Sequence, residues 1–294
     1  MAQTSDLVAE ELSEILGVEV AANQQHLSEN LHLRADHPRW GPLFIKVYGH
    51  FQRFSQEGVA LKALARQYAW VLAPLAEGSL PRTGSSWRVF PEIPLHPFDF
   101  TLEGCRTAAH LMADVHSTEV RSLHLSTKPA PWDLVPVRLE RLSPWPSTHQ
   151  LAAGLARRAA HLLADLSHGD AFRPQIRLLT EDFGARNIHV REDDGSTLML
   201  DFEHAALGDP HWDLGKVWDE DLVEASKRDE FVHEYRSRTG SHDWPNMKAL
   251  WATRFAAALA IFPYANRVRD QSFFAHGVEK LHVLDAELPG LVHR

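Results

Sequence analysis

Hydrophobic positions recur along this chain in two patterns, and the change comes near residue 90. In residues 5–16, Leu7, Val8, Leu12, Ile15 and Leu16 fall on one helical face, with Thr4 or Ser5 as cap. Residues 18–21 and 27–33 then read as strands. Residues 43–48 (LFIKVY) form the clearest strand, because β-branched and aromatic residues dominate them. The intervening residues 35–41 contain Asp, His, Pro and Gly and read as the turn of a hairpin. A long helix is expected over residues 54–75. Val59, Leu61, Leu64, Ala65, Tyr68 and Leu72 lie near one face of it, and Pro74 closes it. Residues 87–90 (WRVF) make a further strand, stopped by Pro91 and Pro94. The order helix, strands, helix, strand predicts a small α+β lobe with an antiparallel sheet over residues 1–92, with the proline-rich residues 91–97 as hinge.

From 93 to 294 the pattern becomes mainly helical. Helices are expected over 102–116 and 151–166, and again around 214–224, 230–236, 247–262 and 273–284. A proline-rich loop with one short helix fills 118–149. Two short strands, 188–190 and 198–200, flank the turn Glu192-Asp193-Asp194-Gly195.

Composition narrows the class. The 294 residues are 44% hydrophobic, enough for a full core and against intrinsic disorder. One cysteine, Cys105, excludes an internal disulfide and a cysteine-rich zinc site, and suits a reducing cytoplasm. The longest apolar run, 255–262, is far too short for a membrane span, and the polar, acidic N-terminus has no signal-peptide pattern. Neither a membrane nor a nucleic acid is an expected partner, since the formal charge is −9 and no basic patch stands out. That charge is localised. Residues 181–230 hold 15 Asp/Glu and 5 Lys/Arg, or −10, which leaves +1 for the remainder. Some of those carboxylates are candidates for binding a divalent cation. Nineteen histidines show no tight ligand spacing, and no G-x-S-x-G elbow exists for acyl transfer.

The candidate chemistry sits in residues 179–219. Asp182 is followed five residues later by Asn187, and nineteen residues later by Asp201 at the end of an apolar strand. Phosphoryl transfer needs a carboxylate to orient a hydroxyl, and a carboxylate plus an amide oxygen to hold Mg²⁺ on phosphates. In the first lobe, Lys46 stands in the middle of an apolar strand, and its amine needs a polar partner such as nucleotide phosphates.

The pattern Asp182-x-x-x-x-Asn187, then Asp201-Phe202-Glu203, then Gly208-Asp209-Pro210-His211-Trp212-Asp213-Leu214, resembles the aminoglycoside phosphotransferase and choline kinase family. The resemblance implies a two-lobed protein-kinase-like fold with a sheet-bearing N-lobe and a helical C-lobe. By the same resemblance Asp182 is the catalytic base, Asn187 and Asp201 bind magnesium, and Asp213 braces the catalytic loop. Glu57 is the expected partner of Lys46. Ser28 and Asn30 lie in the turn over the phosphates, and backbone groups of Glu92 and Ile93 line the adenine. His168-Gly169-Asp170 imitates the family's loop, but Gln175 stands where Asn is required. Two departures mark the chain: the turn Ser28-Glu29-Asn30 has no glycine, and Thr180 replaces the usual histidine two residues before the base.

The implied reaction transfers the γ-phosphoryl group of ATP, with Mg²⁺, to a hydroxyl of a small molecule such as an antibiotic, amino sugar or other natural product. Two alternatives stand beside it. One is a kinase acting on Ser/Thr of a ribosomal precursor peptide; the other is a pseudokinase that binds nucleotide without turnover. Helices between 222 and 284 are expected to form the acceptor site.

Overall fold

A computed structural model describes residues 2–22, 30–168 and 175–292. The chain forms two compact units. The first comprises 1–99, 123–125 and 185–205; the second comprises 100–122, 126–184 and 206–294. Among the described residues no helix is long and apolar enough to cross a membrane.

The first unit opens with α1 (Ala2–Leu16), followed by β1 (Val20–Ala22), β2 (Leu31–His37), β3 (Gly41–Tyr48), α2 (Phe51–Leu64), β4 (Ala76–Ser79) and β5 (Ser86–Pro91). The five strands make one antiparallel sheet in the order β1-β2-β3-β5-β4. The alternation of β3 divides its labour. Leu43, Ile45 and Val47 pack with Val8 and Leu12 of α1 and with Trp87 and Val89 of β5 in the core. Lys46 and Tyr48 face the other way, and Lys46 is registered directly opposite Arg88 of β5. A second, three-stranded sheet has the order β6-β8-β9, from β6 (Leu95–Pro97), β8 (Ile188–Arg191) and β9 (Thr197–Met199).

The second unit is helical around a two-stranded antiparallel ladder of β7 (Arg177–Leu179) and β10 (Ala206–Gly208). Its helices are α3 (Leu102–Ser117), α4 (Val135–Glu140), α5 (Pro146–Arg158), α6 (Ala160–His168), α7 (His211–Glu220), α8 (Ala225–Thr239), α9 (Met247–Val268), α10 (Gln271–Glu287) and α11 (Pro289–Val292). The core collects Leu155, Leu162, Trp212, Trp251, Phe255, Leu259, Phe262 and Leu281. Caps fix the helix starts: Thr101 accepts the Gly104 N–H at 3.1 Å, and Asn246 accepts those of Lys248 and Ala249, each at 3.0 Å.

Several elements differ from the sequence expectation. The helix expected over 54–75 ends at Leu64, because the chain turns there and Val71 bridges to Met199. Of the strand expected over 27–33, residues 27–29 lie outside the described residues, and β2 runs on to His37, so that the turn expected over 35–41 narrows to residues 38–40. The single helix expected over 151–166 starts earlier and is two helices broken at Ala159. The proline-rich hinge includes β6, and β4, β7 and β10 lie where no strand was expected.

Candidate active site

Lys46 anchors the polar face of the first unit. It is only 6% exposed, and its Nζ lies 3.1 Å from Glu57 Oε2, 2.8 Å from Asp201 Oδ1 and 3.0 Å from Glu203 Oε2. Burial alone would push the ammonium down. The carboxylates of Glu57 and Asp201, with Tyr48 and Glu203 behind them, outweigh it and hold the amine well above the usual lysine range. Glu57 is fixed from several sides. Tyr48 donates its hydroxyl to Glu57 Oε2, and the Phe202 N–H donates to Oε1 at 3.3 Å. Burial and the facing Glu57 carboxylate push the Tyr48 phenol up. Arg88 supports this arrangement, donating to the Tyr48 hydroxyl at 3.1 Å and to Glu77 at 2.8 Å while lying 4.0 Å over the Phe54 ring.

Asn187 and Asp201 lie side by side across the β8–β9 hairpin. Leu200 donates its N–H to the Asn187 carbonyl at 2.8 Å, so Asp201 is one residue beyond the partner of Asn187. Asp201 has φ +64, a left-handed conformation costing about 1–2 kcal/mol outside glycine. Its side chain is 38% exposed, whereas the Asn187 residue is buried. Among the described residues no cluster of three His, Cys, Asp or Glu side chains could hold a metal. The Asn187–Asp201 pair is instead an all-oxygen donor set that suits a hard cation taking its remaining ligands from phosphate and water.

Other expected nucleotide contacts fare unevenly. Ser28 lies outside the described residues. The Asn30 side chain donates to Glu203 Oε2 and accepts the Gly49 N–H at 3.2 Å, so it ties the start of β2 to the Lys46 cluster. Arg53 completes that cluster, 3.0 Å from Glu203 Oε1. The Glu92 N–H donates to the Pro42 carbonyl at 2.9 Å, and its carboxylate pairs with Arg34 at 2.7 Å. That leaves the Glu92 carbonyl and the Ile93 N–H as the backbone groups that could meet a base.

In the second unit a loop after β7 carries Thr180, Glu181 and Asp182, and Asp213 on α7 holds it. The Asp213 carboxylate accepts the Thr180 N–H at 2.9 Å, the Thr180 hydroxyl at 3.2 Å and the Glu181 N–H at 2.7 Å. His116 of α3 adds a fourth contact at 3.2 Å, and its other ring nitrogen meets the Tyr235 hydroxyl at 2.8 Å. Thr180 also accepts the Asp182 N–H at 3.3 Å. In place of the absent histidine, a fully buried hydroxyl links Asp213 to the backbone of Asp182. Glu181 is held at φ +59, and Lys216 pairs with Asp182 Oδ1.

Sequence reading missed Tyr48, Arg88, Arg53, His116 and Lys216. A signal existed for Tyr48, two residues from Lys46 on the same face of its strand. For the others the partner lies at a sequence distance that no local pattern encodes. His168 ends α6, and the rest of the imitating His168-Gly169-Asp170 motif lies outside the described residues.

A small sheet unit with a buried lysine–glutamate pair, and a helical unit whose loop is braced by an aspartate, define a kinase-like phosphotransferase fold. The model of the phosphotransferase enzyme family matches residues 22–250, and the chain belongs to that family. It is therefore an enzyme of the phosphoryl-transfer class. No curated protein matches it in sequence. Among solved structures it is similar to macrolide 2'-phosphotransferase MphH from Brachybacterium faecium, at 19% identity and TM-score 0.68, covering 94% of this chain and 98% of that one. It is also similar to the GDP complex of aminoglycoside 2'-phosphotransferase-IIIa, at 15% identity and TM-score 0.68, covering 91% and 92%. Choline kinase LicA from Streptococcus pneumoniae aligns at 16% identity and TM-score 0.65, covering 98% and 99%.

Proposed function

We propose that this enzyme transfers the γ-phosphoryl group of ATP to a hydroxyl of a small molecule in the reducing cytoplasm. The observation that carries the reading is the buried Lys46, held by Glu57 and Asp201, with Asn187 beside Asp201 on one hairpin. On this reading residues 1–92 form the nucleotide-binding lobe and 93–294 the catalytic and acceptor lobe. Lys46 exchanges part of its carboxylate shell for the nucleotide phosphates, and Glu57 keeps the amine in place. Ser28 and Asn30 belong to the turn over those phosphates, and Glu92 and Ile93 meet the base. Asn187 and Asp201 hold Mg²⁺, which when bound neutralises phosphate charge. The acceptor oxygen forms a bond to the γ-phosphorus while the bond from that phosphorus to the β-phosphate bridging oxygen breaks. The hydroxyl proton passes to the Asp182 carboxylate and ADP leaves. Asp213 holds the loop that presents Asp182.

The test is ADP release with ATP–Mg²⁺ over an acceptor panel of hydroxylated antibiotics, amino sugars, choline and Ser/Thr peptides. Lys46→Met, Asp182→Asn and Asp201→Asn should each lower kcat by about 10²-fold or more. Thermal shift should show ATP–Mg²⁺ binding retained in Asp182→Asn and weakened in Asp201→Asn. Binding without transfer to any acceptor would leave a pseudokinase, transfer to peptides alone would make it a peptide kinase, and absence of ATP–Mg²⁺ binding would end the kinase reading.

A further inference from the structure

The loop that carries Asp182 does not present free negative charge. Lys216, on α7 three residues after Asp213, reaches back to pair with Asp182 Oδ1, and the two side chains are only 22% and 13% exposed. The adjacent Glu181 is paired in the same way, with Lys128 Nζ 2.7 Å from its Oε2. Lys128 in turn lies 3.8 Å over the Trp212 ring, with Arg138 5.3 Å from that ring's centroid. The remaining acid at this loop is Asp221, whose Oδ2 lies 3.1 Å from where a Cβ on Gly184 would stand. Farther along the acidic stretch, Asp209 is held by His211, Asp219 by Arg254 at 2.6 Å, and Glu230 by Arg106. The negative charge of residues 181–230 is thus largely committed to internal pairs and does not form an open acidic wall.

We propose that Lys216 determines acceptor specificity, admitting neutral or anionic hydroxyl acceptors and rejecting those with an ammonium group beside the reacting hydroxyl. The inference rests on the reading of Asp182 as the group that takes the acceptor proton. A hydroxyl within about 2.6–3.2 Å of that carboxylate places substituents on its own and the next carbon within a few ångströms of the Lys216 ammonium. In a partly buried site a like charge at that range is poorly screened, whereas a carboxylate or phosphate there gains a partner. A cationic acceptor would have to displace Lys216 from Asp182 first.

The experiment uses three acceptors of one skeleton, glucosamine, glucose and glucuronate, at matched concentrations. ADP release with ATP–Mg²⁺ is followed in the full-length enzyme and in Lys216→Met and Lys216→Glu. The expected wild-type kcat/KM favours glucuronate over glucosamine by about 10-fold or more. That ratio should fall towards unity in Lys216→Met and invert in Lys216→Glu, with the change mainly in KM. Thermal shift with ATP–Mg²⁺ checks folding of each variant, and Lys216→Met stands in should Lys216→Glu not fold. A ratio unchanged by both substitutions, a wild-type preference for glucosamine, or no response to any of the three overturns the inference. Those outcomes leave the phosphotransferase reading in place as long as ATP–Mg²⁺ binds. Loss of ATP–Mg²⁺ binding in the wild type would instead overturn that reading and the inference with it.

Discussion

Thr180 shows how one side chain can take over a supporting position with different chemistry. It is fully buried, and its hydroxyl both donates to Asp213 and accepts from the Asp182 N–H. Thr180→Val keeps the volume and removes both bonds, leaving Asp213 Oδ1 with the Glu181 N–H alone and taking the Thr180 acceptor from the Asp182 amide. The expected cost is about 1–3 kcal/mol, or roughly 2–12 °C in Tm, read by thermal unfolding. The expected fall in kcat is larger than the change in the KM for ATP, because Thr180 touches the loop and no nucleotide contact. The sequence marks Thr180 as a departure from its relatives, but it does not announce that His116, sixty-four residues earlier, reaches the same carboxylate. Lys216 escaped notice for a related reason: on α7 it reads as an ordinary exposed helix position until its direction is known.

At the scale of elements, α2 and β5 meet through a contact that leaves no space for a methyl group. A Cβ on Gly58 would stand 2.3 Å from Arg88 Nη2 and 3.2 Å from its Cζ. Arg88 is 1% exposed and bonded to both Tyr48 and Glu77, so it has little freedom to yield. Gly58→Ala should gain about 1 kcal/mol of helix propensity and lose about 1–3 kcal/mol to overpacking. The net loss should appear as a lowered Tm, and the KM for ATP should rise as Tyr48 loses its donor. The elements that were legible in the sequence carry a strong local period. β3 and β5 are dominated by β-branched and aromatic residues, and α3 and α9 by long apolar faces. The illegible ones are three or four residues long and exist through their partners. β7 and β10 form because 177–179 and 206–208 pair, and β6 because 95–97 pairs with β8. The α2 helix ends ten or so residues early for the same reason. Residues beyond Leu64 have adequate helical propensity, but the Trp70 carbonyl accepts the Met199 N–H at 3.0 Å and holds the chain extended there.

For the whole molecule, Cys105 serves as a natural reporter. It is fully buried in α3, and burial pushes its thiol up to about 11. At pH 8 the native protein should react negligibly with iodoacetamide, and modification should track unfolding in urea. The sign of the linkage follows: the unfolded thiol ionises near 8.5–9 and the folded one higher. This group's contribution is therefore complete below pH 8.5 and declines above it, until the folded thiol also titrates. Rapid alkylation under native conditions would contradict this. The overall charge of −9 also takes on a different meaning. The acidic stretch supplies the brace Asp213, the Asp201 carboxylate beside Lys46 and a series of ion pairs, and little of it remains to attract a partner.

The first unit is not contiguous in sequence: 185–205 returns to it after the chain has begun the second. During synthesis this imposes an order. When residue 99 has emerged, β3 and α2 are present and Lys46 can meet Glu57, but Asp201, Glu203 and β8, the partner of β6, have yet to be made. At about 5–20 residues per second, the missing hundred or so residues take roughly 5–20 s to arrive. The nascent sheet must pass that interval with its central ammonium only partly neutralised and with β6 unpaired. The β8–β9 hairpin thus acts as a late clasp, so that a ribosome stalled before residue 205 would hold an N-terminal unit whose carboxylate cluster around Lys46 is incomplete.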